Sequence, residues 1–170
     1  MVIQSERKLA MGQDATTRGN ASQFFVAGEL CRRGYAAVVT LGNTKNTDVL
    51  CSNVDGTKFV HIQVKTYIPG TKTCNLGNKR LKYYGDNFFW VLSGIPTPDM
   101  ERDFEYFIIP SADIAENVNK EYDDWINGGD GRKSTVRTVH LPEFLKPGRW
   151  DISIYKNRWD LIEEKINASN

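Results

Sequence analysis

The hydrophobic and polar positions along the chain change their period several times, and each change marks a predicted element. From about Ala15 the apolar residues recur at three- and four-residue steps, which predicts a helix that Gly34 ends. Alternating Val, Ile, Thr and aromatic residues then predict three strands, over residues 35–41, 47–53 and 57–67. The first part of the chain is therefore expected to be a helix followed by a β-rich stretch.

The later part of the chain mixes strands and helices again. Residues 68–87 are dominated by Gly, Asn, Lys and Thr, which predicts a long loop or irregular arm. Two more strands are predicted over residues 88–93 and 105–109. Helices are predicted over residues 112–126, after a capping Ser111, and 156–166. The order of elements predicts a sheet with helices packed on it, of the α/β or α+β class.

Length and composition fit one soluble domain. The chain has 170 residues, 40% of them apolar, and we expect a single domain over residues 15–170 after a loosely ordered segment, 1–14. No apolar run approaches the roughly 20 residues of a membrane span, and the N-terminus lacks the apolar core of a secretory signal. Three cysteines without a CxxC pair suggest a reducing cytoplasm. A net charge of +1 excludes a strongly basic nucleic-acid-binding protein but not a local basic patch.

A predicted hairpin places three polar side chains on one face of the sheet. Asp55-Gly56 is a preferred centre for a two-residue type I′ turn, in which both residues have positive φ. That turn sets Asp48 opposite Gln63, and Lys65 points to the same face because side chains alternate along a strand. The remaining positions of the third strand are apolar and are expected to face the core.

A carboxylate, an amide oxygen and an ammonium group on one face suit metal-dependent phosphodiester hydrolysis. Asp48 and Gln63 could hold Mg²⁺, which neutralises charge that develops on phosphoryl oxygens. Lys65 could stabilise the same charge or orient the attacking water. The alternative interpretation is a half-exposed sheet face with an ordinary Asp–Lys contact.

The segment TDVLCSNVDGTKFVHIQVKT, preceded by RGNASQFFVAGELCRRGY, resembles the PD-(D/E)XK nuclease superfamily. The likeness is to the branch of small bacterial proteins and intron-encoded homing endonucleases whose third motif is QVK. It implies a restriction-endonuclease-like fold with a mixed central sheet of about five strands flanked by helices. It also implies Mg²⁺, with Mn²⁺ as a substitute, a nucleic-acid substrate and 5′-phosphate products. Asp48, Gln63 and Lys65 then take the positions of the metal-binding Asp, the Asp/Glu and the Lys.

The chain departs from this family pattern at three positions. Thr47 replaces a proline that is not a ligand, and Gln63 replaces a carboxylate, so its amide brings no charge. Gln23 stands where relatives carry a helix glutamate; Glu29 is the nearby substitute, but the two arginines after it favour a surface ion pair. We expect Gln23, Glu29 and His61 at the edge of the site, His61 as a proton shuttle or as an ordinary strand residue.

Basic and aromatic residues alternate after the QVK strand, which suits contacts with nucleic acid. The alternative is a solvated loop that its tyrosines anchor to the body. The candidate nucleic-acid-binding residues are Lys72, Lys79, Arg80, Lys82 and Tyr83.

These observations predict a Mg²⁺-dependent DNA endonuclease-like enzyme. A catalytically weakened nucleic-acid-binding module of the same fold is the alternative, because glutamines replace two carboxylates. A structural or inhibitory subunit of a larger assembly is a third hypothesis. DNA is the expected partner; RNA and assembly into a homodimer or larger homo-oligomer are left open, and no membrane association is expected.

Overall fold

The computed structural model describes residues 15–41, 44–129 and 134–168. The segment 1–14, predicted to be loosely ordered, lies outside the described residues, as does part of the turn expected over 127–134. The helices are α1 (Ala15–Arg32), α2 (Ser111–Asn127) and α3 (Asp160–Asn167). The strands are β1 (Ala36–Val39), β2 (Val49–Ser52), β3 (Phe59–Tyr67), β4 (Thr73–Gly77), β5 (Phe88–Gly94), β6 (Glu105–Pro110) and β7 (Arg137–His140).

A five-stranded mixed sheet forms the centre of the molecule, which confirms the predicted fold class. Its strand order is β1-β2-β3-β5-β6. Strand β3 pairs with β5 in parallel, whereas the other neighbours are antiparallel. A parallel pair requires a crossover, which the residues between β3 and β5 supply. Helix α1 ends where the sequence predicts, at Gly34 with φ +93°, whose N–H binds the carbonyl of Cys31.

The turn between β2 and β3 is not the predicted two-residue turn. The N–H of Asn53 donates to the carbonyl of Lys58, so four residues lie between them. Within that turn only Gly56 has a positive φ, of +64°, and the Asn53 side chain accepts hydrogen bonds from the N–H groups of Thr57 and Lys58. Both turns have the same centre, so the pairing of the strands is the one the shorter turn predicts, with Val49 opposite Ile62.

Two apolar cores lie on opposite faces of the sheet. The first core packs α1 and α3 against the sheet and contains Val26, Ala27, Leu30, Val49, Cys51, Val60, Ile62, Val64, Phe89, Val91, Ile108, Trp159, Ile162 and Ile166. The second core packs α2, β4 and β7 against the other face and contains Tyr67, Cys74, Leu76, Phe88, Trp90, Leu92, Phe107, Ile109, Ile114, Val118, Val139, Leu141, Ile152 and Tyr155. Among the described helices, none is both long and apolar enough to cross a membrane.

The predicted long loop over residues 68–87 contains a strand, so that prediction is wrong in part. Strand β4 pairs with β7 in a separate two-stranded sheet, with a bulge between Asn75 and Gly77. Cys74 and Leu76 are the buried residues of β4 and belong to the second core. The strand escapes sequence analysis because it is short, and because its partner lies more than sixty residues further along the chain.

Candidate functional site

Asp48, Gln63 and Lys65 lie on the face of the sheet that carries the second core. The side-chain amide of Gln63 donates to Oδ2 of Asp48. The Nζ of Lys65 lies 5.9 Å from the centre of the Trp90 ring, and its charge acts on the Asp48 carboxylate. All three polar residues are partly exposed. The structure therefore brings together the three residues that the hairpin register predicts.

The position of Asp48 follows from where strand β2 begins. The ladder with β3 starts at Val49, and the N–H of Asp48 still donates to the carbonyl of Ile62, at 2.8 Å. Beyond that point, the N–H of Val64 donates to Oδ2 of Asp48 at 2.7 Å. The carboxylate replaces a main-chain acceptor there, and this bond fixes its orientation.

The surroundings of Asp48 have opposing effects on the pKa of its carboxyl. Partial burial has the largest effect and raises the pKa of the Asp48 carboxyl above its ordinary value. The Val64 N–H, the positive charge of Lys65 and the Gln63 amide each act in the opposite direction. A carboxylate in this setting gains from any further positive charge near it.

Two threonines and a histidine support the segment before Asp48. The hydroxyl of Thr40 donates to the carbonyl of the buried Thr47 at 2.6 Å, and the Thr40 N–H donates to the carbonyl of Asp48 at 2.9 Å. The Thr47 hydroxyl lies 3.3 Å from Nδ1 of His61. His61, a predicted edge residue, thus contacts Thr47 through a hydroxyl that a proline at this position would lack.

Among the described residues, neither Gln23 nor Glu29 is hydrogen-bonded to Asp48, Gln63 or Lys65. Helix α1 packs on the opposite face of the sheet, in the first core. Glu29 instead accepts hydrogen bonds from Arg32 and Arg33 at 2.7 and 2.9 Å, and these bonds lower the pKa of its carboxyl. The surface ion pair expected as its alternative role is therefore present.

The side chains of Asp48 and Gln63 carry the kind of oxygen atoms that bind a magnesium ion whose other ligands are waters and substrate oxygens. In the part of the chain that the structure describes, no group of three or more His, Cys, Asp or Glu residues could hold a metal. Oδ1 of Asp48 and Oε1 of Gln63 have no hydrogen bond from a described residue, whereas the amide nitrogen of Gln63 faces Asp48. Mg²⁺ commonly takes one or two protein oxygens, retains waters and binds substrate phosphate oxygens, so two protein oxygens are sufficient.

The β4–β5 connection (residues 78–87) is fastened to helix α2. The side chain of the buried Asn119 binds both the N–H and the carbonyl of Leu81, at 3.1 and 2.8 Å. The hydroxyl of Ser111 accepts from the N–H of Tyr84 and donates to the carbonyl of Lys82. Ser111 is therefore not the predicted side-chain cap of α2, because its hydroxyl is engaged by the connection. Polar helix residues give no sequence signal for such a role.

The predicted nucleic-acid-binding residues differ in their surroundings. Lys72, Lys79 and Lys82 are exposed. Arg80 forms an ion pair with Asp123 of α2 at 3.0 Å, so its charge is partly neutralised. The phenol of Tyr83 donates to Asp86 within the same connection. Lys79 and Lys82 are therefore exposed on a connection whose backbone is hydrogen-bonded to α2.

A row of aromatic rings runs from this connection to the candidate site. The ring centres of Tyr84 and Phe88 are 4.8 Å apart, and those of Phe88 and Trp90 are 6.4 Å apart. Lys65 lies over Trp90 at the end of the row. Phe88 and Trp90 are buried in the second core, so this row joins the connection to the site through the interior of the molecule. The sequence gives no pairing that would assign Trp90 to Lys65 in advance.

Comparison with known proteins supports the fold. No protein-family model matches the chain, and no curated protein sequence is significantly similar to it. The chain shares its fold with a bacterial homing endonuclease. That protein, I-Ssp6803I, superposes with a TM-score of 0.52 at 19% sequence identity, over 89% of this chain and 94% of its own. The predicted nuclease-like fold is thereby confirmed.

Proposed function

We propose that this chain is a metal-dependent DNA endonuclease of the PD-(D/E)XK type, with Asp48, Gln63 and Lys65 as its active site. The observation that supports it most is that Asp48, Gln63 and Lys65 are partly exposed on one face of the sheet, where Gln63 is hydrogen-bonded to Asp48 and the charge of Lys65 acts on the Asp48 carboxylate. The shared fold with a protein named as a homing endonuclease agrees with a DNA substrate.

Each residue has a separate task in this proposal. Oδ1 of Asp48 and Oε1 of Gln63 would hold the metal ion, while the Val64 N–H keeps Asp48 in place. Bound Mg²⁺ supplies neutralisation of the charge that develops on the phosphoryl oxygens. Lys65 donates hydrogen bonds to a phosphoryl oxygen or to the attacking water, and the Trp90 ring keeps its ammonium group beside the site.

The β4–β5 connection would position the DNA backbone. Lys79 and Lys82 are exposed on a segment whose backbone Asn119 and Ser111 hold in place. Lysines bind phosphates through charge and carry no sequence information, so this surface contributes affinity and orientation. Any selection of a DNA sequence requires other contacts.

A plasmid cleavage assay tests the proposal. We expect the wild-type protein to nick or linearise plasmid DNA with Mg²⁺ or Mn²⁺ and to leave 5′-phosphate ends. Asp48→Asn and Lys65→Met should each reduce the rate at least 100-fold, since each removes a charge that acts on the reacting phosphate. Asp55→Asn and Lys58→Met, at the tip of the same hairpin, are the matched controls. Unchanged cleavage by both site variants would refute the assignment.

The second candidate function is a nucleic-acid-binding module without hydrolysis. One observation favours it: the Gln63 amide nitrogen donates to Asp48, so the pair satisfies itself without a metal ion. This function requires DNA binding in EDTA that weakens steeply with salt, together with no heat of Mn²⁺ binding in calorimetry. Metal binding that Asp48→Asn abolishes would decide for the endonuclease.

A further inference from the structure

A cavity of about 220 Å³ lies between helix α2 and strand β7, apart from the Asp48 site. Its lining includes Glu121, Tyr122 and Trp125 of α2, Thr138 and His140 of β7, and Arg149. An apolar cavity of roughly 150 Å³ holds benzene, so this one has space for a heteroaromatic ring. Its lining combines aromatic rings with a cation and hydrogen-bonding groups, a mixture found in ligand sites.

The aromatic side of the cavity is held rigidly. The ring centres of Tyr122 and Trp125 are 6.3 Å apart, with planes inclined by 45°. The buried Arg137 stacks its guanidinium 3.8 Å from the centre of the Tyr122 ring, and its Nη1 is tied to the carbonyls of Asn78 and Thr135. The phenol of Tyr122 donates to the carbonyl of Ser134. A planar ligand would therefore meet a preformed aromatic wall.

The polar side of the cavity has an unused hydrogen-bonding atom. Nδ1 of His140 is buried and has no partner among the described residues. Burial and the charges of Arg149 and Lys146 lower the pKa of His140, although Glu121 acts against them. A neutral imidazole offers one donor and one acceptor, which suits the edge of a nucleobase. Unsatisfied buried groups of this kind call for a ligand or water.

The cavity lining also contains charged side chains. Arg149 lines the cavity, and a guanidinium binds phosphate oxygens through paired hydrogen bonds. The carboxylate of Glu121 is engaged by the main-chain N–H of Trp150. A flat ring, a hydrogen-bonding edge and an anion are the three features that the lining can bind.

We infer that this cavity binds a single nucleotide unit, with its base against Trp125 and Tyr122 and its phosphate at Arg149. Thr138 and His140 contact the edge of the base. The unit is either a free mononucleotide or one nucleotide of a single strand, and both have the same chemistry. The inference does not depend on the endonuclease proposal, since no residue of the cavity belongs to the Asp48 site.

Calorimetry and NMR titration of the full chain test this inference, with EDTA and the Asp48→Asn substitution excluding hydrolysis. The probes are the four deoxynucleoside monophosphates, deoxyadenosine, inorganic phosphate and a five-residue oligodeoxythymidylate. We expect a monophosphate to bind at least tenfold more tightly than phosphate alone, with a shifted Trp125 indole resonance. Tighter binding by the oligonucleotide identifies a strand as the source, and equal binding identifies a free nucleotide.

Substitutions locate the binding. Arg149→Gln should weaken monophosphate binding at least fivefold and leave deoxyadenosine binding unchanged. Trp125→Leu should weaken both ligands, and Arg149→Gln alone suffices if that variant does not fold. Arg158→Gln, an exposed arginine paired with Asp160, is the matched control. The inference would be overturned if no monophosphate binds, or if phosphate alone binds equally tightly. It would also be overturned if Arg149→Gln and Arg158→Gln reduce monophosphate affinity equally.

Discussion

At the scale of single residues, the partial burial of Asp48 lowers the stability of the fold but favours the binding of a cation. Its carboxylate accepts the Val64 N–H that the sheet leaves unpaired, yet partial burial raises the pKa of its carboxyl. Ionised Asp48 is therefore less favourable in the folded metal-free protein than in water. Residues whose local environment lowers stability in this way are frequent at functional sites, where a ligand compensates them.

We predict that Asp48→Asn increases the free energy of unfolding at pH 7. Asparagine still accepts the Val64 hydrogen bond but has no charge to desolvate. The pKa of Asp48 is higher in the folded than in the unfolded protein. Its ionisation therefore destabilises the fold fully at pH values above the folded pKa, and not at all below the pKa of the unfolded chain. Urea denaturation at pH 7 and pH 3 should show the gain at pH 7 and a smaller one at pH 3. Asp103→Asn, at an exposed position, should show no such pattern; a loss of stability at pH 7 would contradict the prediction.

A second residue-scale prediction concerns Gln63→Glu. This substitution supplies the second carboxylate that the family pattern has, so we expect at least tenfold tighter Mn²⁺ binding by calorimetry. The metal-free variant should be less stable than wild type, since two carboxylates then lie side by side. Asn167→Asp, on helix α3 in the layer of the first core, is the control and should leave Mn²⁺ affinity unchanged. Equal affinities of wild type and Gln63→Glu would place the metal elsewhere.

At the scale of elements, helix α2 organises the surface beside the site. It contributes little to the first core, but Ile114 and Val118 pack in the second core and its polar face fastens the β4–β5 connection. No helix or strand is formed within the connection itself, residues 78–87. Its shape therefore depends on side-chain hydrogen bonds from the helix.

We predict that Asn119→Ala lowers the free energy of unfolding by about 1–3 kcal/mol, because two partly buried main-chain groups of Leu81 lose their partner. The variant should also bind DNA more weakly, since Lys79 and Lys82 lose their fixed backbone. Urea denaturation and a fluorescence binding assay measure the two effects. Asn117→Ala, which removes one half-buried bond within the same helix, should have smaller effects on both. Equal effects in the two variants would contradict the role of Asn119.

At the scale of the whole molecule, charge is balanced in total and uneven in position. The net charge is +1, and ion pairs neutralise Arg32, Arg33 and Arg158 on the side of α1 and α3. Lys79 and Lys82 are exposed on the side of the candidate site. The protein should therefore bind DNA through the side that carries the exposed lysines, although its total charge is close to zero.

We predict that the double variant Lys79→Gln, Lys82→Gln binds DNA more weakly and with a reduced salt dependence. The slope of log K against log salt should fall by about 2, since each phosphate contact contributes about 0.9. The double variant Arg32→Gln, Arg158→Gln removes the same charge from the other side and should leave the slope unchanged. Equal changes in both would show that only net charge matters.

The sequence by itself determines the elements and faces that arise from local patterns. The end of α1 at Gly34, the alternation in β3 and the register of the hairpin follow from backbone preferences within a few residues. The register survives a wrong turn type because the two turns share a centre. For the same reason, the meeting of Asp48, Gln63 and Lys65 can be predicted without coordinates.

Only the tertiary structure decides the contacts between distant parts of the chain. The pairing of β4 with β7 and the hydrogen bonds of Asn119 to Leu81 each join segments far apart in sequence. It also decides that α1 packs on the opposite face of the sheet, in the first core, with Glu29 paired to Arg32 and Arg33. Local propensity contains no term for such contacts, because they form only when the layers pack and bury their polar groups together.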